Sequence, residues 1–353
     1  MKPPEARAAF TVMTCHEWTC LHRSVTQGRL QRRAGRAIDA QRSSLPASRS
    51  SRDIDSTTYR DYDTLLGELA QLEADFPNLV SSYEIGTTYE GRTLKVIAVS
   101  SGQVANAPVI WLDCGIHARE WVSHATCMYV LDQLTSGYGS DDVVNALLAA
   151  YDFHVLPITN PDGYVHSWDA DRLWRKNRVP YGACFGADVN RNFDSNFGGE
   201  GASDLACADT YHGPSAFSEV ESAAIRDSLI ALGSRVKAVF TLHSYSQYWM
   251  FPYGYTTDRP ADYDELNRVS ALAVEALTAV HGTSYVYGNI ADVIYVASGG
   301  SVDYTYETLG ITYSFAVELR DQGQYGFLLP ADQIIPTAEE FFAGFYTAIQ
   351  NFQ

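Results

Sequence analysis

The chain has 353 residues, 46% of them hydrophobic and 19% charged, which is enough for one large globular domain or two ordinary ones. Its net charge of −17 at pH 7 argues against a nucleic-acid partner. No stretch of the sequence is long and apolar enough to predict a membrane-spanning helix.

The first 52 residues differ from the rest in charge. They carry 10 Lys and Arg against 3 Asp and Glu, whereas the remaining residues carry 15 against 39. Such a shift predicts a boundary, with a basic arm over 1–52 and a folded domain over 53–353. The arm is either disordered or the remnant of an activation segment, because Arg32-Arg33 and Arg36 would suit a trypsin-like processing enzyme. No secretory signal is visible in it.

From residue 59 the sequence alternates between helical and extended patterns. Apolar residues recur at helical spacing from Tyr62 to Leu72. Ser218 and Glu221 form a capping box that would open a later helix. The predicted strands are Val80–Ile85, Leu94–Ser100, Pro108–Asp113, Phe153–Ile158, Val236–Leu242 and Thr312–Glu318. The other predicted helices are Glu120–Leu134, Asp141–Ala150, Ser218–Leu232, Asp262–Val280 and Ala338–Phe352.

This order of elements predicts an α/β fold. Alternating strands and helices, with several strands continuously apolar, indicate a single domain with a mixed, mostly parallel twisted sheet covered on both faces. His117, His243 and Glu318 each come at the carboxyl end of a predicted strand. Ligands of open α/β sheets bind at that edge, so we expect these side chains to meet there.

The residues at this edge have the composition of a catalytic zinc site. Two imidazoles, His117 and His243, and the carboxylate of Glu120 could hold one Zn²⁺ and leave a position for water. Glu318 could then take a proton from that water. Alone, an H-x-x-E pair is common by chance and an isolated buried histidine is usually structural. Together, and with cysteines spaced wrongly for a structural zinc site, the set favours hydrolysis.

The chain carries a series of short motifs in addition to Glu90-Gly91-Arg92. They are GIHAREW (115–121), NPDGY (160–164), RLWRKNR (172–178), DVNRNFD (188–194), YHGPSAFSE (211–219), HSYSQ (243–247), IYVASGGSVDY (294–304) and ELRDQGQYGFLLP (318–330). In this number and order they make the chain resemble the zinc carboxypeptidases of the pancreatic A/B family from about residue 58 to the C-terminus. That resemblance implies an eight-stranded sheet and a monomeric exopeptidase that releases single C-terminal residues from peptides and proteins.

The resemblance also implies a role for each motif residue. His117, Glu120 and His243 would hold zinc, and Asp188 would orient His117 from outside the ligand set. Glu318 would be the general base, with zinc-activated water as the nucleophile. The remaining assignments are Arg175 on the developing oxyanion, Arg191 and Asn190 on the substrate's terminal carboxylate, Tyr295 closing over the substrate, and Arg92 and Tyr245 lining the outer subsites. The Ser244–Tyr245 peptide bond would be cis.

Side-chain preference depends on the pocket for the C-terminal residue. In the family, an Asp at its base selects Lys or Arg, whereas an aliphatic residue selects apolar side chains. This chain has Val302 at that position, and by register Asp303 should point away, whereas a shifted loop would place it inside the pocket. A buried cation would lack a partner, so aromatic and aliphatic C-termini are predicted. Other lining positions are small or apolar: Gly254, Ile290, Ile294 and Ala297.

Four of the six cysteines match disulfides of the family. The resemblance pairs Cys184 with Cys207 and Cys114 with Cys127, and disulfides imply an oxidising, extracellular location. Cys15 and Cys20 have no counterpart in the family.

Three alternatives stay open at this stage. The same chemistry could act on Lys or Arg C-termini, although Val302 argues against this. A non-catalytic peptide-binding relative would usually lack the base or the carboxylate clamp, but Glu318, Arg191 and Asn190 are all present. A zinc amidohydrolase for small acylated amino acids shares the H-x-x-E pattern but fits the full motif set less well.

Overall fold

The structure, a computed structural model, describes residues 56–353. The predicted basic arm, with Cys15 and Cys20, and the predicted boundary after residue 52 both lie outside the described residues. The strands are β1 (Val80–Thr87), β2 (Thr93–Val99), β3 (Val109–Cys114), β4 (Asp152–Leu156), β5 (Pro180–Tyr181), β6 (Cys184–Phe185), β7 (Val236–Ser244), β8 (Tyr248–Phe251), β9 (Val286–Asn289) and β10 (Tyr313–Leu319).

Eight of these strands form one mixed sheet. Their order is β1-β2-β4-β3-β7-β10-β8-β9, while β5 and β6 pair separately. The pairs β3–β4, β3–β7, β7–β10 and β8–β9 are parallel, and the other three are antiparallel. All six predicted strands are present, and the prediction of a mixed, mostly parallel eight-stranded sheet is confirmed.

Helices cover both faces of the sheet, as its sequence pattern predicts. On β3, Ile110 and Leu112 belong to one buried apolar cluster and Trp111, between them, belongs to another. Both faces of β3 are therefore buried, and such a strand does not alternate between apolar and polar residues. The helices are α1 (Tyr62–Asp75), α2 (Trp121–Ser136), α3 (Asp142–Ala150), α4 (Pro161–Asp169), α5 (Val220–Leu232), α6 (Tyr263–His281), α7 (Ile290–Val293), α8 (Ser301–Glu307) and α9 (Ile334–Gln350).

The predicted capping box at the start of α5 is wrong. The residue that caps this helix is Glu219, and its side chain makes no capping hydrogen bond. Glu221 is buried and accepts a hydrogen bond from Asn177 instead of reaching back to the helix start. Ser218 donates to the Glu219 carboxylate. Tertiary partners thus replace the local capping pattern.

The centre of the sheet brings the motif residues together. The parallel strands β3, β7 and β10 are neighbours, and their carboxyl ends lie at one edge. Glu318 of β10 is directly paired in register with His243 of β7. His117 follows β3, and Glu120 is the residue that caps α2. No helix among residues 56–353 has the length and apolarity needed to cross a bilayer.

Candidate active site and metal centre

Three buried side chains converge at the carboxyl edge of the sheet. Ligand atoms of His117, Glu120 and His243 all lie within 4.8 Å of one another. The Nδ1 atoms of the two histidines are 3.2 Å apart, and the Glu120 carboxylate lies 2.8 Å from His117 Nδ1 and 3.2 Å from His243 Nδ1. The sequence prediction that these three residues meet is therefore confirmed.

Asp188 lies behind the ligand group and fixes it. Its Oδ1 is 3.1 Å from His117 Nε2, on the side of the ring away from Glu120. Its Oδ2 accepts hydrogen bonds from Nε and an Nη of Arg175 at 2.9 and 2.8 Å. One carboxylate thus orients both a ligand imidazole and a guanidinium that faces the same site. A second support reaches His243, whose Nε2 lies 3.4 Å from Thr241 Oγ1.

The ionisation of these groups bears on metal binding. Burial would raise the pKa of Glu120, but its interactions with His117 and His243 lower it, which favours the ionised carboxylate. Burial, and then the charge of Arg175, lowers the pKa of His117 and favours the neutral imidazole, whereas the hydrogen bond and charge of Glu120 outweigh burial and raise the pKa of His243. Against the effect of burial, Arg175 holds the pKa of Asp188 well below its usual range. Ionised carboxylates and neutral imidazoles are the forms that bind metal.

Glu318 faces the same site but has few partners. Its side chain lines the cleft beside His243 and Arg175, and its Oε2 is buried with no hydrogen-bond partner among residues 56–353. Burial, and then the charge of Glu120, raises its pKa to about 8. A buried carboxyl without a partner is costly, so packing alone does not account for Glu318 at this position.

The cleft beside these residues encloses about 560 Å³ of empty space up to its open mouth. Arg191 and Asn190 lie on its wall, where Arg191 Nε donates to the backbone of Gly201 at 3.0 Å and Asn190 Oδ1 accepts from the backbone N–H of Ser301. Tyr295 is 50% exposed at the rim, with its ring centre 6.0 Å from the Arg191 guanidinium carbon. Hydrogen bonds therefore hold the guanidinium of Arg191 and the amide of Asn190 in place, and the exposed ring of Tyr295 lies beside them.

The inner end of the cleft is mainly apolar. Val302 lies there, and Met250 and Ala316, which the sequence analysis did not name, complete the lining together with the expected Gly254, Ile290, Ile294 and Ala297. Whether Met250 and Ala316 line the cleft depends on the register of their strands and on the path of the loops, and no local sequence motif indicates either.

Asp303 differs from its predicted position. It borders the cleft rather than pointing away, although it is buried. Its two oxygens accept backbone N–H bonds from Gly254 at 2.9 Å, and Oδ2 also accepts from Tyr255 at 3.1 Å. The turn that carries Gly254 captures this carboxylate, so its acceptor capacity is largely used by the protein.

A second, outer cleft has Tyr245, Arg119 and Phe327 among its lining residues, and the guanidinium carbon of Arg119 lies 4.3 Å from the centre of the Phe327 ring. Arg92, which is predicted to line an outer subsite, donates to Asp162 at 2.8 Å and also pairs with Glu90, and its part in substrate binding stays a prediction. In the sequence, Arg119 lies between the metal-ligand candidates His117 and Glu120. This position could have indicated that Arg119 lies near the site, but the sequence analysis did not use it.

Both predicted disulfides are present. Cys114 is joined to Cys127, and Cys184 to Cys207, with Cα–Cα distances of 6.3 and 5.2 Å. The first ties the end of β3 to α2, on either side of the loop that carries His117. The Ser244–Tyr245 peptide bond is cis, as the resemblance implies.

Comparisons with known proteins agree with this geometry. Residues 65–344 match the family model described as "Zinc carboxypeptidase". Carboxypeptidase A2 of Mus musculus is 50% identical over 83% of this chain and 70% of its own length. Carboxypeptidase B of Astacus astacus is 45% identical over 82% of this chain and 96% of its own.

Solved structures give the same result. A crystal structure of thrombin activatable fibrinolysis inhibitor superposes with a TM-score of 0.86 and 38% identity, over 90% of this chain and 80% of that one. Carboxypeptidase A from Helicoverpa armigera superposes with a TM-score of 0.83 and 31% identity, over 92% and 80%.

Proposed function

The chain belongs to the zinc carboxypeptidase family, and on that premise we propose that this metallocarboxypeptidase releases single aromatic or aliphatic residues from peptide C-termini. The proposal is carried by one observation: the ligand atoms of His117, Glu120 and His243 converge within 4.8 Å in a cleft that Glu318 and Arg191 also line. Residues 53–353 are the catalytic domain in this proposal.

The donor set fits one Zn²⁺. Two imidazole nitrogens and a carboxylate, all buried, match the ligands of catalytic zinc sites, and Asp188 supports His117 from behind. Bound there, zinc would supply a Lewis acid that lowers the pKa of water and polarises a carbonyl oxygen. The residues around it carry out the rest of the chemistry.

Glu318 is the proton carrier in this proposal. Its carboxyl borders the cleft beside His243 and Arg175, and its Oε2 has no hydrogen-bond partner among the described residues, so this oxygen is available to accept and return a proton. It would take a proton from the attacking water and give it to the departing amine. Arg175, held in place by Asp188, would stabilise the oxyanion that develops on the scissile carbonyl.

Arg191 and Asn190 would read the free carboxylate of the substrate. A guanidinium can form two parallel hydrogen bonds with a carboxylate, and this restricts the enzyme to the end of a chain. Tyr295 at the rim would close over the bound residue. Two disulfides support an extracellular location, and we propose a monomer that takes the C-termini of peptides and proteins as substrates.

Arg191→Lys keeps a positive charge but loses the planar guanidinium, which can donate two parallel hydrogen bonds. We expect its KM for a blocked dipeptide ending in Phe to rise by about 10- to 100-fold, because a hydrogen bond to a charged group is lost. The variant kcat should change much less. Steady-state kinetics measure both, with the partly exposed Arg226→Lys as the matched control. An unchanged KM would rule out the carboxylate clamp.

The apolar inner cleft supports A-type specificity. We expect blocked dipeptides ending in Phe to be hydrolysed at least about 100-fold more efficiently than those ending in Arg, because a buried cation would find no free partner. Val302→Asp should reverse the order by adding a carboxylate that backbone donors do not occupy. The measurement is kcat/KM for both substrates; preference of the unchanged enzyme for Arg would refute the specificity.

Basic specificity is the second candidate, and one observation favours it. The carboxylate of Asp303 borders the cleft, although Gly254 and Tyr255 donate to it. If it accepts a substrate cation as well, Asp303→Asn will abolish hydrolysis of the Arg substrate and spare the Phe substrate.

A further inference from the structure

Two carboxyl groups are buried together at the start of α5, away from the cleft. Glu219 is 0% exposed and Glu221 is 1% exposed. A single amide group joins them: Asn177 Nδ2 donates to Glu219 at 2.7 Å and lies 3.1 Å from Glu221. Among residues 56–353 no Lys, Arg or His forms an ion pair with either of them. Two buried like charges without a cation would be strongly unfavourable.

The hydrogen-bond donors around each carboxyl group indicate which of the two carries the negative charge. Glu219 accepts hydrogen bonds from the Tyr181 hydroxyl, from Ser218 Oγ at 2.7 Å and from Asn177. Glu221 accepts from Asn177. An ionised carboxylate is stabilised by several donors, so Glu219 is the anion. Glu221, with fewer donors, is the neutral acid.

Glu219 connects two segments that carry proposed active-site residues. Through its carboxylate it holds Asn177, two residues after Arg175, and Asn177 Oδ1 accepts from the N–H of Ala187, which precedes Asp188. Through its backbone N–H it donates to Oδ1 of Asn192, which follows Arg191, at 3.1 Å.

The space for this network is limited. A Cβ at Gly213, where φ is +80°, would lie 2.5 Å from Ser218 Oγ and 2.8 Å from Asn192 Nδ2. The network therefore has little freedom to rearrange.

The charged neighbours with the largest effect on Glu221 are both acidic. Burial is the main cause that raises its pKa to about 7, and the charges of Glu219 and of Asp162, at the start of α4, raise it further. The hydrogen bond from Asn177 opposes this shift. Loss of the proton would therefore place a second anion beside Glu219.

We propose that Glu219 and Glu221 form a one-proton lock, in which ionised Glu219 ties the Arg175 segment to the Arg191 segment and Glu221 must stay neutral for the tie to hold. Glu219 is thus a positioning residue, and the lock gives the enzyme a built-in response to alkaline pH. Its catalytic consequence rests on the roles proposed above for Arg175 and Arg191; its existence does not.

Thermal unfolding of the zinc-loaded full chain tests the proton. Because the folded pKa of Glu221 lies above its unfolded value, its contribution to stability is complete below about pH 4.5 and is lost as pH rises to about 7. Glu221→Gln carries no such charge. We expect its Tm to match the unchanged protein near about pH 5 and to exceed it by about 4 °C or more near about pH 8.5. A Tm difference that does not change with pH would overturn the lock.

Kinetics test the positioning role. Glu219→Gln replaces the anion by an amide of the same shape, so we expect kcat/KM for the Phe substrate near about pH 6, where Glu221 is mostly neutral, to fall about tenfold, through both KM and kcat. Glu221→Gln, the matched control, should retain the original value. Tyr181→Phe, which removes one donor to Glu219, should fall between them. Equal kinetics for the two Gln variants would overturn the positioning role.

The two proposals fail separately. If the unchanged protein hydrolyses neither dipeptide, the proposed function fails, while the unfolding curves still decide whether the lock exists. If hydrolysis is normal and Tm of Glu221→Gln follows that of the unchanged protein at every pH, only the lock fails.

Discussion

Glu318→Gln is expected to lower kcat by about 1,000-fold or more while the protein keeps its zinc. The amide has the shape of the carboxyl but can neither accept a proton from water nor return one to the leaving amine. Because Glu318 is not among the three ligand candidates, metal content should not change. Because its Oε2 has no hydrogen-bond partner among the described residues, little structural support is lost.

The measurement for this variant combines turnover of the blocked Phe dipeptide with metal analysis of the same sample. Glu275→Gln, on the exposed face of α6, is the matched control and should behave like the unchanged enzyme. A Glu318→Gln protein that binds zinc and retains a tenth or more of its kcat would refute the role of Glu318 as general base. Loss of zinc would instead show that Glu318 supports the metal site.

Arg175→Ala should lower kcat by about 100- to 1,000-fold, the usual result of removing one oxyanion donor. Its effect on KM should be smaller, because the charge it stabilises develops only in the transition state. The variant should also be less stable by about 3 kcal/mol or more, since it leaves the buried carboxylate of Asp188 without its cation.

Steady-state kinetics and thermal unfolding separate these two effects of Arg175. Arg178→Ala is the matched control, because this neighbouring arginine stacks over Trp174 and Phe185 and does not line the cleft. A kcat that survives in Arg175→Ala, in a protein that is still folded, would contradict the oxyanion role.

The metal site could be predicted from the sequence because its geometry is set by local order. His117 and Glu120 lie in one turn after β3, and His243 and Glu318 lie at the ends of two strands. Parallel neighbouring strands must bring their carboxyl ends to one edge, so the four residues meet once the strand order is known. The apolar runs that define these strands are continuous and therefore easy to recognise.

Residues whose partners are distant in sequence could not be predicted in this way. The hydrogen bond from Arg92 to Asp162, 70 positions away, has no signal in the local sequence. Glu221 was assigned to a helix cap, but Asn177 holds it in the interior. The short strands β8 and β9, with four residues each, carry too few side chains to show a period.

Asp303 shows the same limit within the cleft. Counting along the chain from Val302 predicts that it points away, but both residues belong to the first turn of α8, and both border the cleft. Alternation by one residue is a property of strands and does not apply at the start of a helix. The backbone donors of Gly254 and Tyr255 then determine where its carboxylate rests.

The central claim, a zinc-dependent exopeptidase, is tested most directly by mass spectrometry of one peptide that ends in Phe. The peptide is offered as the free acid and as the C-terminal amide, to enzyme loaded with zinc and to enzyme treated with a chelator. We predict loss of the terminal Phe from the free acid alone, and only with zinc present. Cleavage of the amide, cleavage at an internal bond, or release of Phe without the metal would contradict the account.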